Sequence, residues 1–306
     1  MEKGKIKGHS AMLGAEFMWG VSAPLGKVIL AGGVTPLMLT DCRMVGAAAL
    51  FWVLSLFTGR ERVEGRDLLL MFFASLFGIV LNQGLFLFGL GLTSPVNASI
   101  ITTSSPIITM VLAAVFLGEP VSRLKVGGVF LGALGALILI AGGGGSGDAE
   151  GSPLGDVLVV AAQLSFSCYL VLFKRLTSRY SPVTLMKWMF TYASVCVIPF
   201  SYNEWACAGL GDVGSDAWWG VAAFVVGPTF VSYLLLPVGQ RFLRPTVTAM
   251  YNYVQPIVAT LAAVWMGVGG FSVLKGVAVV LVFCGVGMVT RSKSREDMER
   301  EGRGDG

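Results

Sequence analysis

The stretch Ser94–Leu117 reads SPVNASIITTSSPIITMVLAAVFL. It is long and apolar enough for an α-helix to cross a bilayer core, which takes about 20 residues. Ser94-Pro95 is a capping residue followed by the proline that suits a first helical turn. Gly118-Glu119-Pro120 ends the segment where the chain must turn. Pro106 interrupts the middle, just after Thr102-Thr103-Ser104-Ser105. A proline there frees a backbone carbonyl in the membrane, and a hydroxyl or a protein-lined cavity must satisfy it. A second stretch, RPTVTAMYNYVQPIVATLAAVWM from Arg244 to Met266, repeats the plan. Pro95 matches Pro245, Pro106 matches Pro256, Ala113 matches Ala263, Lys125 matches Lys275 and Gly135 matches Gly285, all 150 positions apart. The chain carries an internal repeat whose unit includes a membrane helix.

The whole composition agrees. Hydrophobic residues make up 55% and charged residues 13%, against about 25% charged in a soluble domain, and mean hydropathy is +0.76. The pattern is that of an all-α polytopic membrane protein, with spans expected near 11–30, 36–58, 67–89, 94–117, 122–141, 154–176, 182–201, 217–239, 245–267 and 271–290. The basic N-terminus leads into an uncleaved first span, since that apolar segment is too long for a signal-peptide core and carries Glu16 and Pro24. With the N-terminus inside, the inner segments hold 19 of the 22 basic residues and the outer loops hold none. That asymmetry sets ten spans with both termini cytoplasmic in a plasma (inner) membrane. The organisation expected is a tail over 1–10, five spans over 11–141, an external flexible linker over 142–153, five spans over 154–290 and a charged tail over 291–306. Five is an odd number, so the second half enters from the opposite side and the repeat is inverted, as in many secondary transporters. Thr35-Pro36 matches Ser181-Pro182, Lys27 matches Lys174, and Glu16 matches Gln163.

Several function classes are disfavoured. The positive charge is spread along one side of the membrane, a poor nucleic-acid footprint. There is no CxxC and the single His, His9, lies in the tail, so a metal site, a disulfide framework or a catalytic triad has no candidates. GGGGSG in the linker lacks the Lys-Ser/Thr of a phosphate loop. No cofactor is implied, and the partners expected are a small-molecule solute and membrane lipids.

These residues resemble the EamA-type permeases of the drug/metabolite transporter superfamily. The resemblance lies in Trp19-Gly20 with Lys27 on the first span, Arg43 on the second and Leu117-Gly118-Glu119-Pro120 closing the fourth. The glycine-rich fifth span, Gly127-Gly128 to Gly132 and Gly135, completes it. It implies ten helices, an inverted five-plus-five repeat, a central substrate cavity and efflux of small metabolites, often amino acids or amphipathic compounds. The second half departs from the pattern at Gly269, opposite Glu119, and at Phe166-Ser167, opposite Trp19-Gly20.

Polar groups within spans must find partners, so they are expected to face inward. Glu16 is the leading candidate, because an intramembrane carboxylate costs about 2.5–3.5 kcal/mol and is rare without a function. A proton-coupled cycle would run through it. Trp19, Asn82, Gln83, Asn97, Thr102, Gln163, Tyr169, Tyr233, Tyr251, Asn252 and Gln255 are the expected cavity lining, with Tyr253 crowding the same segment. The competing reading for each is an ordinary interhelical hydrogen bond, worth about 0.6 kcal/mol. Lys27, Asp41 and Arg43 are expected as charges at the outer mouth, and snorkelling or interfacial pairing competes with that role. Pro24, Pro106 and Pro256 are expected to kink their helices. The function expected is a secondary transporter, an exporter of a small organic metabolite, amino acid or amphipathic compound. The alternatives are an exchanger of phosphorylated or nucleotide sugars, which needs deep cations, and a non-transporting membrane scaffold.

Overall fold

The computed structural model describes residues 2–93, 95–141, 152–207, 213–265 and 272–293. Every regular element among them is helical, and eight helical stretches are long and apolar enough to cross a membrane. In chain order, α1 is Glu2–Ala31, α2 Pro36–Phe57 and α3 Gly65–Leu92. α4 spans 95–117 as Pro95–Thr102 and Ser105–Leu117, followed by α5, Arg123–Ala141, and α6, Pro153–Leu172. A short helix, Lys174–Arg179, precedes α7, Pro182–Cys207, and α8, Ser215–Phe242. α9 spans 245–265 as Pro245–Met250, a 3-10 turn at Tyr251–Tyr253 and Val254–Trp265, and α10 is Val273–Arg291. The stretches that fall outside the eight are α1 and α9. Glu16 and Lys27 dilute the apolar content of α1, and Thr246, Thr248, Asn252 and Gln255 dilute that of α9.

The caps follow from side chains written in the sequence. Thr35 Oγ1 accepts the Met38 N–H at 3.2 Å, and Ser181 Oγ accepts the Thr184 N–H at 3.2 Å. Each stands before a proline that lacks the donor a first helical turn cannot use. Gly118 ends α4 with φ +64°, a left-handed position that suits glycine, and the Glu119 N–H reaches back to the Ala113 carbonyl at 3.1 Å.

The duplication is visible in the helix bounds. α3 and α8 are each 28 residues and start 150 positions apart. α5 and α10 are each 19 residues and start 150 positions apart. α3 widens into a π-helical segment at Leu76–Leu81 and α8 does so at Val225–Val231. In α8 the widened turn holds Pro228, and the Thr229 hydroxyl donates to the Phe224 carbonyl at 3.2 Å.

The chain forms two compact units, 1–81 with 173–242, and 82–172 with 243–306. In the first, α1 packs on α8 and α2 on α7. Ile29, Val34, Met38, Leu39, Ala217, Val221, Phe224 and Val225 form a buried apolar cluster. In the second, α3 packs on α6, α4 on α6 and α9, and α5 on α10.

The α5–α10 contact is made by glycine. A Cβ on Gly128 would lie 2.8 Å from the Gly285 carbonyl oxygen, and one on Gly135 would lie 2.6 Å from the Ala278 oxygen. Backbones this close need residues without a side chain. As α5 rises from 128 to 135, its partner falls from 285 to 278, so the two helices run antiparallel. Gly285-x-Gly287 on α10 is a pair of small residues of the kind that permits close helix contact, which would place Gly287 in this seam. Gly287 lies outside it, because a Cβ there would meet nothing within 4 Å.

Candidate solute-handling residues

In the first unit, α1, α2 and α7 converge on residues 229–233 of α8. Ser232 Oγ lies 3.3 Å from the Ala15 carbonyl of α1, and the neighbouring Glu16 has no exposed surface. One turn along α1, the Trp19 ring meets Tyr233 edge-on at 5.5 Å. Phe190 of α7 meets the same Tyr233 edge-on at 5.0 Å. Arg43 of α2 donates its Nε to Thr229 Oγ1 at 3.0 Å and lies over the Phe224 ring at 5.0 Å.

That placement of Arg43 differs from the outer-mouth pair expected with Asp41. Residues two apart on a helix point to different sides. Arg43 turns to the middle of α8, while buried Asp41 accepts the Trp205 indole N–H at 2.7 Å. Next to Trp205 in the chain, the Glu204 carboxylate accepts the Thr35 hydroxyl. α1 stays helical past position 24. The side chains of Pro24 and Lys27, like that of Asn97, lie outside the described residues.

In the second unit, the α3–α6 crossing reproduces the α1–α8 crossing position by position. Asn82 Nδ2 donates to the Ala162 carbonyl at 2.9 Å, and Ala162 is the repeat equivalent of Ala15. A Cβ on Gly89 would lie 2.9 Å from the Gly155 oxygen and 2.8 Å from Val159 Cγ2. At the equivalent Gly239 it would meet the sulfur of Met12 and lie 3.5 Å from the Gly8 oxygen. Gln163 stands where Glu16 stands and Gln83 where Tyr233 stands. Gln163 is buried, Gln83 is half-buried, and the buried Tyr169 tilts against Phe166 at 6.0 Å.

At Pro106 and Pro256 the expected kinks are breaks between helices. Pro106 lies in the first turn of Ser105–Leu117, after a turn at Thr103–Ser104. The Ile107 N–H bonds to Ser104 O at 2.9 Å, which releases the carbonyl of Thr103. Tyr253 OH of α9 donates to that carbonyl at 3.0 Å. Gly132 makes room for the phenol, since a Cβ there would lie 2.6 Å from the Tyr253 ring. Pro256 likewise opens a helix after the Tyr251–Tyr253 turn. Around these breaks Asn252 donates to Ser105 Oγ at 3.3 Å, Thr109 donates to Ser167 Oγ at 2.9 Å, and Ser167 donates to Ser105 O at 3.4 Å. Tyr251 is buried and Gln255 half-buried. Thr102 instead bonds within its own helix, to Ala98 O at 2.8 Å.

One buried charge pair escaped the sequence reading. Lys125 has no exposed surface, and its Nζ lies 2.8 Å from Glu119 Oε2, to which Thr246 also donates at 3.2 Å. The sequence assigns Glu119 to a turn and Lys125 to a basic inner segment. Their six-residue separation across the α4–α5 corner was the signal available. Among the described residues no group of His, Cys, Asp and Glu is placed to hold a metal.

The description of the EamA-like transporter family matches this chain twice, over residues 6–141 and 153–291. The chain belongs to that family, whose members are transporters and not enzymes, and it is a multi-pass membrane protein. It is 24% identical over 282 residues to the uncharacterized transporter YyaM of Bacillus subtilis, covering 90% of each chain. It is 25% identical over 204 residues to the aromatic amino acid exporter YddG of Ancylobacter novellus, covering 66% of this chain and 69% of that one. A solved crystal structure superposes with a TM-score of 0.79 at 20% identity, covering 94% of this chain and 98% of the other.

Proposed function

We propose that the protein is a secondary transporter that exports a small organic metabolite, with amino acids and amphipathic compounds as the substrate class. The export of aromatic amino acids by a relative favours the amino-acid end of that range. The polar residues of α3, α4, α6 and α9 serve solute, and Glu16 couples its movement to a proton. The observation that carries the coupling role is the complete burial of Glu16 at a crossing whose duplicate holds the neutral Gln163. A carboxylate kept where an amide of the same shape packs in the other copy costs energy, and proton exchange gives that cost a purpose.

In this reading α1 and α9 also span the membrane, giving ten spans in two inverted repeats with both termini cytoplasmic at the plasma membrane. The antiparallel α5–α10 contact and the basic residues confined to alternate connections support it. Solute then reaches each side in turn. Among the described residues Arg43 is the one cation turned to the middle of α8, which is too little for the multiply charged solutes of a sugar-phosphate exchanger.

Proteoliposome flux of aromatic amino acids, with and without a pH gradient, tests the proposal. Wild type is expected to show gradient-driven flux, and Glu16→Gln is expected to lose it by at least about tenfold while solute counterflow persists. Unchanged gradient response in the variant removes Glu16 from coupling. Absence of flux for any amino acid under any gradient favours the scaffold.

A further inference from the structure

We infer that the groove between α2 and α7 binds the headgroup of an anionic phospholipid, with Lys187 as its anchor. Lys187 is the sixth residue of α7, and Trp52 lies five residues before the end of α2. At 1.5 Å per residue both sit about 8 Å from the same end of this antiparallel pair, a depth at which tryptophan marks the membrane interface. The Lys187 ammonium stands over the Trp52 ring at 4.5 Å and near the Trp188 ring at 5.8 Å.

The Trp52 indole N–H donates to Thr191 Oγ1 of α7 at 3.0 Å, so its face is left to the lysine. Thr191 in turn donates to the Lys187 carbonyl at 2.7 Å, which holds the three residues together. The aromatic rings shelter the ammonium but accept none of its three N–H donors strongly. Among the described residues no carboxylate pairs with Lys187 and no side chain accepts a hydrogen bond from it. A sheltered ammonium at this depth lacks an anionic acceptor, and a lipid phosphate is the anion that membrane supplies there.

The surroundings have the matching charge. Among the described residues, the acidic side chains that follow α2 are engaged within the protein: Glu61 accepts from Ser181, and Glu64 and Asp67 pair with Arg179. Arg60, Arg62, Arg66 and Arg175 are exposed and belong to none of the ion pairs among the described residues. Beside Trp52, the exposed Leu56 and Phe57 offer an apolar rim for acyl chains, which free phosphate would not need. The inference rests on α2 and α7 crossing the membrane and not on transport.

Quenching of tryptophan fluorescence tests it, with the full chain in vesicles of unlabelled phosphatidylcholine containing a small fraction of chain-brominated lipid. Brominated phosphatidylglycerol is expected to quench more than brominated phosphatidylcholine at equal mole fraction, with a local enrichment of about fivefold for one basic anchor. Lys187→Gln is expected to equalise the two lipids and Lys187→Arg to keep the preference. Trp52→Phe is expected to remove the phosphatidylglycerol-specific part while leaving Lys187 in place. Quenching by brominated phosphatidylcholine reports membrane insertion, so failure of the spans is distinguished from failure of the site. Equal quenching by the two lipids in wild type overturns the inference, and so does an undiminished preference in Lys187→Gln.

Discussion

The α1–α8 and α3–α6 crossings share a plan and differ in one respect. At both, a glycine brings the helices together and a polar side chain of α8, or of its repeat equivalent α3, donates to an alanine carbonyl. Ser232 and Asn82 make that bond at repeat-equivalent positions, to the equivalent Ala15 and Ala162. The residues beside the bond diverge. The first crossing carries Glu16, Trp19 and Tyr233, with the Trp19 ring edge-on to Tyr233, whereas the second carries Gln163, Phe166 and Gln83 at the equivalent positions. Duplication preserved the packing, and divergence put the titratable group on one side only. The backbone contact is thus scaffold, and the neighbouring side chains are where function was free to specialise.

The comparison breaks most sharply if the carboxylate is moved. In Glu16→Gln with Gln163→Glu, the buried charge costs about 2.5–3.5 kcal/mol in its new place. Gradient-driven flux is expected to stay at the level of Glu16→Gln alone. Recovery of flux in the double variant means that the two crossings are interchangeable, and the specialisation argued here is wrong.

Packing gives the next effect. Gly89→Ala drives a methyl against the Gly155 backbone oxygen, which cannot move alone. Gly239→Ala meets the flexible end of Met12. Overpacking of this kind costs about 1–3 kcal/mol, so Gly89→Ala is expected at the upper end and Gly239→Ala at or below the lower. Thermal unfolding in detergent checks the order, and a reversal removes the claim that the α3–α6 approach is the tighter.

The smallest effect concerns the shared hydrogen bond. Asn82→Ala and Ser232→Ala are each expected to cost about 0.6 kcal/mol, the average for interhelical bonds in membranes. Near-equal losses in the same unfolding assay sharpen the equivalence. A loss of transport without loss of stability in Asn82→Ala means that this residue serves solute as well as packing.

Much of the architecture was readable from one chain. Apolar runs near the length of a bilayer, proline and glycine between them, and matching residues 150 positions apart establish membrane helices and a duplication. These are local or periodic signals, and lipid enforces them because no backbone group inside it can go unbonded. Glu16 was legible for the same reason, since a carboxylate in such a run is conspicuous.

Partner choice was not legible. That Arg43 reaches Thr229 while Asp41 turns to Trp205, that Tyr253 caps the carbonyl freed ahead of Pro106, and that Thr246 joins the Lys125–Glu119 pair depend on which helix lies beside which. Side-chain partners 186, 164 and 150 residues apart leave no trace in spacing. The sequence by itself determined that these polar groups had to be satisfied. Only the tertiary structure decided by whom, because a hydrogen bond is settled by the few ångströms between neighbouring helices.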